Sequence, residues 1–88
     1  MMIEVTIRFF GAFRGLAGGD QLAVSIPAHS SLGELRELLP TFLPAVPEAR
    51  LKALLRSSAW ADERRILSDE DRLCAGMALA ILPPVCGG

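Results

Sequence analysis

The sequence predicts a small α+β fold in which one sheet packs against one main helix. Residues 2–10 and 21–27 alternate between apolar and polar side chains, with the period of half-buried strands. A helix-capping pattern begins at Ser31, and an apolar run over 77–82 is typical of a central strand. The 88 residues leave room for a single domain spanning 1–88.

The first two strands are defined by alternation. Within 2–10, Ile3, Val5, Ile7 and Phe9 share one face, and Glu4, Thr6 and Arg8 share the other. Phe10 breaks this pattern by placing a large ring on the polar face. Four glycines within 11–20, among them the pair at 18–19, predict a turn. The second strand follows this turn and ends at Pro27, and we expect it to pair with the first strand.

The helix is predicted over 31–39, because Ser31-Leu32-Gly33-Glu34 forms a capping box ahead of leucines at helical spacing. Prolines at 40, 44 and 47 predict no regular element through 40–47, apart from one that Pro47 could start. Residues 48–60 are ambiguous, since their leucines suit a helix while 55–59 could pair as a strand.

The segment 62–72 has eight charged residues in eleven and is predicted to be a solvated loop or hairpin tip with a short apolar inset at Ile66 and Leu67. After Gly76 the run MALAIL predicts a strand that is buried on both faces and therefore central.

The composition excludes several classes of function. Nine Lys and Arg against ten Asp and Glu give a net charge of −1, which predicts no nucleic-acid or anionic-lipid partner. No apolar run approaches the ~20 residues of a membrane span, and no basic segment precedes an apolar one at the N-terminus, so we expect no membrane partner and a cytoplasmic location.

Metal binding and internal catalysis are not expected either. Two cysteines and one histidine are too few for a zinc site, and the adjacent acids 69–71 do not converge on one point. His29 has no serine or cysteine motif around it.

The C-terminal tail 83–88 is the most informative segment. The last strand passes into Pro83-Pro84, which favour an extended backbone, and the sequence closes on Gly87-Gly88. A Gly-Gly end has no side chain, so its carboxylate can enter a narrow channel and react there. Alternatively, the glycines have no function, as at many chain ends.

Two segments resemble a known family. Ile81-Leu82-Pro83-Pro84-Val85-Cys86-Gly87-Gly88 and Phe9-Phe10-Gly11-Ala12-Phe13-Arg14 are similar to segments of the MoaD-like small subunit of molybdopterin synthase. This family belongs to the ubiquitin-like sulfur carriers, together with ThiS. The resemblance implies a β-grasp fold: a four- or five-stranded mixed sheet, first and last long strands adjacent and parallel, helix 31–39 across one face, and a strand around 53–59.

The resemblance also implies a chemistry. A ubiquitin-activating-like adenylyltransferase uses ATP to adenylate the Gly88 carboxylate, and a persulfide donor converts it to a thiocarboxylate. The sulfur then passes to a pyranopterin precursor of the molybdenum cofactor, inside a complex with the molybdopterin synthase large subunit. The carrier binds no cofactor and is not an enzyme by itself, but the small subunit of a sulfurtransferase complex.

By the same resemblance, Gly87 and Gly88 fit the channel, Pro83 and Pro84 keep the tail extended, and Phe10, Leu82 and Val85 form an apolar docking patch. Arg14 pairs with an acidic partner surface.

Other interpretations stay open. Phe10 could cover a sheet edge, Arg14 could be a solvated side chain, and Cys86 could carry a persulfide instead of being a tolerated small residue. The chain could be a ThiS-like or other sulfur donor, a ubiquitin-like protein modifier, or a β-grasp binding module with an unmodified tail.

Overall fold

The computed structural model describes residues 1–10, 19–56 and 58–82. Along the chain it contains β1 (Met2–Phe9), β2 (Gln21–Pro27), α1 (Leu32–Phe42), α2 (Glu48–Arg56), β3 (Ala59–Ala61), β4 (Ile66–Leu67) and β5 (Ala78–Leu82). Among these described residues, no helix is long and apolar enough to cross a membrane.

The strands form one five-stranded mixed sheet in the order β2-β1-β5-β3-β4. β1 runs antiparallel to β2 and parallel to β5, with Thr6 opposite Ala78 and Phe9 opposite Ile81. β3 runs antiparallel to both β5 and β4. The expected mixed sheet, its adjacent parallel first and last strands and the central place of the last strand are therefore confirmed.

The core lies between one face of this sheet and the two helices. The alternating apolar residues of the strands are buried against leucines of α1 and α2. Among the described residues, the largest fully buried side chains are Val5, Ile7, Phe9, Ile26, Trp60, Leu79 and Ile81 from the strands and Leu32, Leu35, Leu39 and Leu51 from the helices. The other positions of β5 are only half-buried. The prediction of a strand buried on both faces is thus wrong, because the helices cover only one face of the sheet.

Helix α1 begins as predicted and ends later than predicted. The Ser31 hydroxyl accepts the Glu34 N–H at 3.2 Å, and the Glu34 carboxylate accepts the Ser31 N–H at 3.0 Å, so the capping box is confirmed. The prediction that no regular element enters 40–47 is wrong, since the helix continues through Pro40 to Phe42. Proline here removes a single N–H from the last turn, and the buried Leu39 and Leu43 hold that turn on the core.

Helix α2 corrects the assignment of a strand around 53–59. Residues 48–56 are helical, and the strand begins only at Ala59. Leu51 and Leu55 lie one turn apart and are both buried, a spacing that a helix satisfies. The helix starts directly after Pro47, whose carbonyl accepts the Leu51 N–H at 3.0 Å.

The charged segment 62–72 contains the turn and the second strand of the β3–β4 hairpin, and hydrogen bonds connect it to the start of α1. Its β4 pairs with β3, which confirms the hairpin with an apolar inset. Asp71 accepts the Arg65 guanidinium at 2.7 and 3.1 Å and the Ser68 N–H at 2.7 Å. These hydrogen bonds, among which the one from Arg65 has the largest effect, lower the pKa of Asp71 to about 2. The Asp71 carbonyl also accepts the Leu32 N–H at 2.9 Å, so the hairpin helps to cap α1.

Candidate functional site

The sheet face opposite the helices, which we call the open face, carries the candidate partner-binding residues. Because side chains alternate across a strand, the residues between the core positions all point to this face. Its central part consists of Arg8 from β1, Phe10 directly after β1, Ala78, Ala80 and Leu82 from β5, Ala59 and Ala61 from β3, and Ile66 from β4.

Strand register aligns these residues in rows. Arg8 lies opposite Ala80, Ala80 lies opposite Ala61, and Ala61 lies opposite Ile66, which makes one row across four strands. Because the alanine side chains are short, the protein surface is recessed in the middle of this row. A shallow groove of about 200 Å³ forms there between Phe10 and the β3–β4 hairpin.

Phe10 is the most prominent aromatic residue of the open face. Its side chain is 39% exposed, and the Arg8 guanidinium carbon lies 5.7 Å from the centroid of its ring. At that separation the cation is attracted to the ring face, which holds Phe10 beside the alanine rows. Its predicted position outside the core is confirmed, whereas its binding role stays a prediction.

The groove has a polar rim. Asp62 and Glu63 line it on the hairpin side, and Arg8 lines it on the β1 side. The Asp62 carboxylate accepts the N–H groups of Arg64 at 2.7 Å and Arg65 at 2.9 Å, and these hydrogen bonds lower the pKa of Asp62. The site therefore presents an apolar floor between fixed charges of opposite sign, an arrangement suited to binding another protein surface.

The end of β5 lies on this surface. Leu82 is the last residue of β5 and is half-buried, and its strand partner is Ala59. Because β1 and β5 are parallel, Phe10 and Leu82 lie at the same end of the sheet. Leu82 thus lies on the same open face as the groove, two residues beyond Ala80, which lines it.

The remaining predicted site residues lie outside the described residues. They are Arg14, Pro83, Pro84, Val85, Gly87 and Gly88, and Cys86 lies there too. Their assigned roles stay predictions. Within the described segments, no group of three or more His, Cys, Asp or Glu side chains could hold a metal ion.

Sequence reasoning missed Ala59, Ala61, Ala80 and Ile66 as parts of this surface. The signal was present in the last strand, where alanines alternate with Leu79 and Ile81. That alternation is the pattern of a strand with one covered and one open face.

Comparison with known proteins decides the family. No family model matches the sequence. The molybdopterin synthase sulfur carrier subunit of Synechococcus elongatus is 30% identical over 90 residues, covering 100% of both chains. The chain belongs to this family of sulfur carrier subunits.

Solved structures agree with that membership. The complex of subunits 1 and 2 of the molybdopterin-converting factor from Helicobacter pylori 26695 contains a chain 31% identical to this sulfur carrier, with a TM-score of 0.60 and coverage of 98% of this chain and 100% of that one. A ubiquitin from Caldiarchaeum subterraneum is 14% identical and covers 100% of both chains with a TM-score of 0.62. The sulfur carrier therefore has the ubiquitin-like β-grasp fold, as the resemblance implied.

Proposed function

We propose that this protein carries sulfur as a thiocarboxylate on Gly88 and donates it, as the small subunit of molybdopterin synthase, to a pyranopterin precursor of the molybdenum cofactor. The observation that supports this most is the full-length similarity to a sulfur carrier subunit. The Gly87-Gly88 end supplies the chemistry, because a carboxylate without neighbouring side chains can enter a narrow active site.

The carboxylate must first be activated. In a ubiquitin-activating-like adenylyltransferase, the Gly88 carboxylate attacks the α-phosphorus of ATP and displaces pyrophosphate. The acyl-adenylate that results carries AMP, which is a far better leaving group than oxide. The outer sulfur of a persulfide donor then attacks the acyl-adenylate and displaces AMP, which gives an acyl disulfide. A second thiol of the donor cleaves that S–S bond, so the thiocarboxylate is released and the donor is left as a disulfide. The proposed reaction needs ATP, which is abundant in the cytoplasm, the location expected from the sequence. The carrier contributes its terminal group and its binding surface, and its partners contribute catalysis.

The open face is the proposed docking surface for the large subunit. The Helicobacter pylori complex of two subunits supports such a partner. Phe10, Leu82 and Ile66 surround a low alanine floor, so a protruding apolar side chain of the partner could be buried there. The tail would thread on from Leu82, with Pro83, Pro84 and Val85 extended and Gly87 in the narrow part of the channel, while Arg14 meets an acidic surface.

The carrier function is tested by intact mass spectrometry after incubation with a matching adenylyltransferase, ATP and a persulfide donor. The wild-type protein should gain the mass difference between sulfur and oxygen, only when ATP is present. Deletion of Gly88 should abolish the gain, since even ~1 Å of displacement from the reacting position can cost about a hundredfold in rate. Cys86→Ser is the matched control and should load normally.

Two results would overturn the proposal. Loading that survives the deletion of Gly88 but is lost in Cys86→Ser, without any need for ATP, would assign the sulfur to a persulfide on Cys86. No loading of the wild-type protein would favour a binding module whose tail is never modified.

A further inference from the structure

The outer edge of β2 is a second surface with the properties of an interface. β2 is the terminal strand of the sheet and spans seven residues, whereas β4 at the opposite edge has only two. Within the described part of the chain, β2 pairs with β1 and with no other strand. A sheet edge of this length offers unpaired N–H and C=O groups to another strand.

The backbone groups that face outward can be assigned from the ladder. The Phe9 N–H donates to the Asp20 carbonyl at 2.8 Å, and the Ala28 N–H donates to the Met1 carbonyl at 2.8 Å. Hydrogen-bonded pairs alternate along an antiparallel ladder, so the even-numbered residues of β2 bond to β1. The N–H and C=O groups of Gln21, Ala23 and Ser25 consequently point away from the sheet.

Within the segments that the structure describes, this edge lacks the usual features that prevent pairing. Natural edge strands are commonly blocked by charged side chains, prolines, bulges or short length. Residues 21–26 contain no charge and no proline, and Pro27 stands only at the end. The side chains of Gln21, Ala23 and Ser25 are exposed and small or neutral, so they leave the edge open to a second strand.

We infer that β2 pairs antiparallel with β2 of a second copy of this chain, about a twofold axis at Ala23. In this register Gln21 lies opposite Ser25 of the other copy, and Ala23 lies opposite its own counterpart. The three N–H and three C=O groups that these residues of each copy point outward then form six hydrogen bonds in all across the axis. Shifting the register by two residues in either direction leaves some of these groups unpaired or places Pro27, which has no N–H, in the ladder.

The charges on β1 agree with the same register. Arg8 lies opposite Gln21, and Glu4 lies opposite Ser25. The pairing therefore places Arg8 of one copy in the same row as Glu4 of the other, three strand spacings or about 14 Å away. That distance exceeds the Debye length of about 8 Å at physiological ionic strength, so the attraction is largely screened and contributes little to the dimer or to the choice of register.

The dimer keeps both open faces on one side. Directly paired residues point to the same face of a sheet, so the two helical layers lie together on the other side. The docking groove near Phe10 lies on the broad face and is separate from the β2 edge.

Sedimentation velocity over a range of protein concentrations tests this inference. The wild-type protein should approach twice the mass of one chain as its concentration rises. Ala23→Lys should shift this association to higher concentrations, because like charges directly opposite each other across strands repel. The control is Ala53→Lys, which adds the same charge at an exposed position of α2 and should associate as the wild type does.

Hydrogen exchange locates the contact. The amides of Gln21, Ala23 and Ser25 should become protected as the concentration rises in the wild type and in Ala53→Lys, but not in Ala23→Lys. A protein that stays monomeric throughout would overturn the inference. A dimer whose β2 amides stay unprotected, or one weakened equally by both lysines, would overturn it as well.

Discussion

Truncating Phe10 should weaken binding to the large subunit by an amount that follows from its exposure. Phe10 is 39% exposed, and a phenylalanine side chain offers on the order of 200 Å², so about 80 Å² is left for a partner to bury. At ~25 cal/mol per Å² this area contributes about 2 kcal/mol. Phe10→Ala should therefore raise the Kd by roughly thirtyfold.

Isothermal titration calorimetry with the large subunit measures this change. Leu38→Ala is the matched control, since Leu38 is 36% exposed but lies on α1, on the helical side of the sheet. It should leave the Kd unchanged, and both variants should keep a cooperative thermal transition. An unchanged Kd for Phe10→Ala, or an equal loss for Leu38→Ala, would refute the assignment of the open face as the docking surface.

Two predictions concern the fold. The pKa of Asp71 is lowered from 3.8 to about 2 by Arg65 and Ser68, so its contribution to stability is complete above pH 4 and is lost as the pH falls towards 2. Urea unfolding between pH 5 and pH 2 should show this decline, and Asp71→Asn should flatten it; an equally steep decline in the variant would contradict the role of the Asp71 pairings. Gly76 has a φ of +77° and open space around it, so Gly76→Ala should cost about 1–2 kcal/mol through backbone strain alone. Gly19→Ala, also in open space but without a positive φ, should not lower the melting temperature, and equal losses at the two glycines would rule out strain as the cause.

The strands and the start of α1 could be predicted because their signals are local. Alternation in 2–9 and 21–27 reports a covered and an open face, and the Ser31 capping box needs only four residues to form. The parallel pairing of β1 with β5 is not a local signal, and only the resemblance to sulfur carriers supplied it.

The errors occurred where tertiary packing overrides local preference. Pro40 would end an isolated helix, yet the burial of Leu39 and Leu43 keeps the turn in place. The three residues of β3 are too few to show a period, so the local pattern leaves 48–60 ambiguous. The strand that the resemblance implies around 53–59 falls mostly on residues that the burial of Leu51 and Leu55 makes helical.

Because the first and last strands pair in parallel, the proposed docking surface forms only late in folding. Phe10 and Leu82 are 72 positions apart in the sequence and become neighbours only when β5 inserts between β1 and β3. Contacts of such high sequence separation are slow to form, because closing the long intervening loop is entropically costly. A partly unfolded chain therefore lacks the complete open face. Under the proposed function, the order of the strands thus makes completed folding a condition for recognition of the tail.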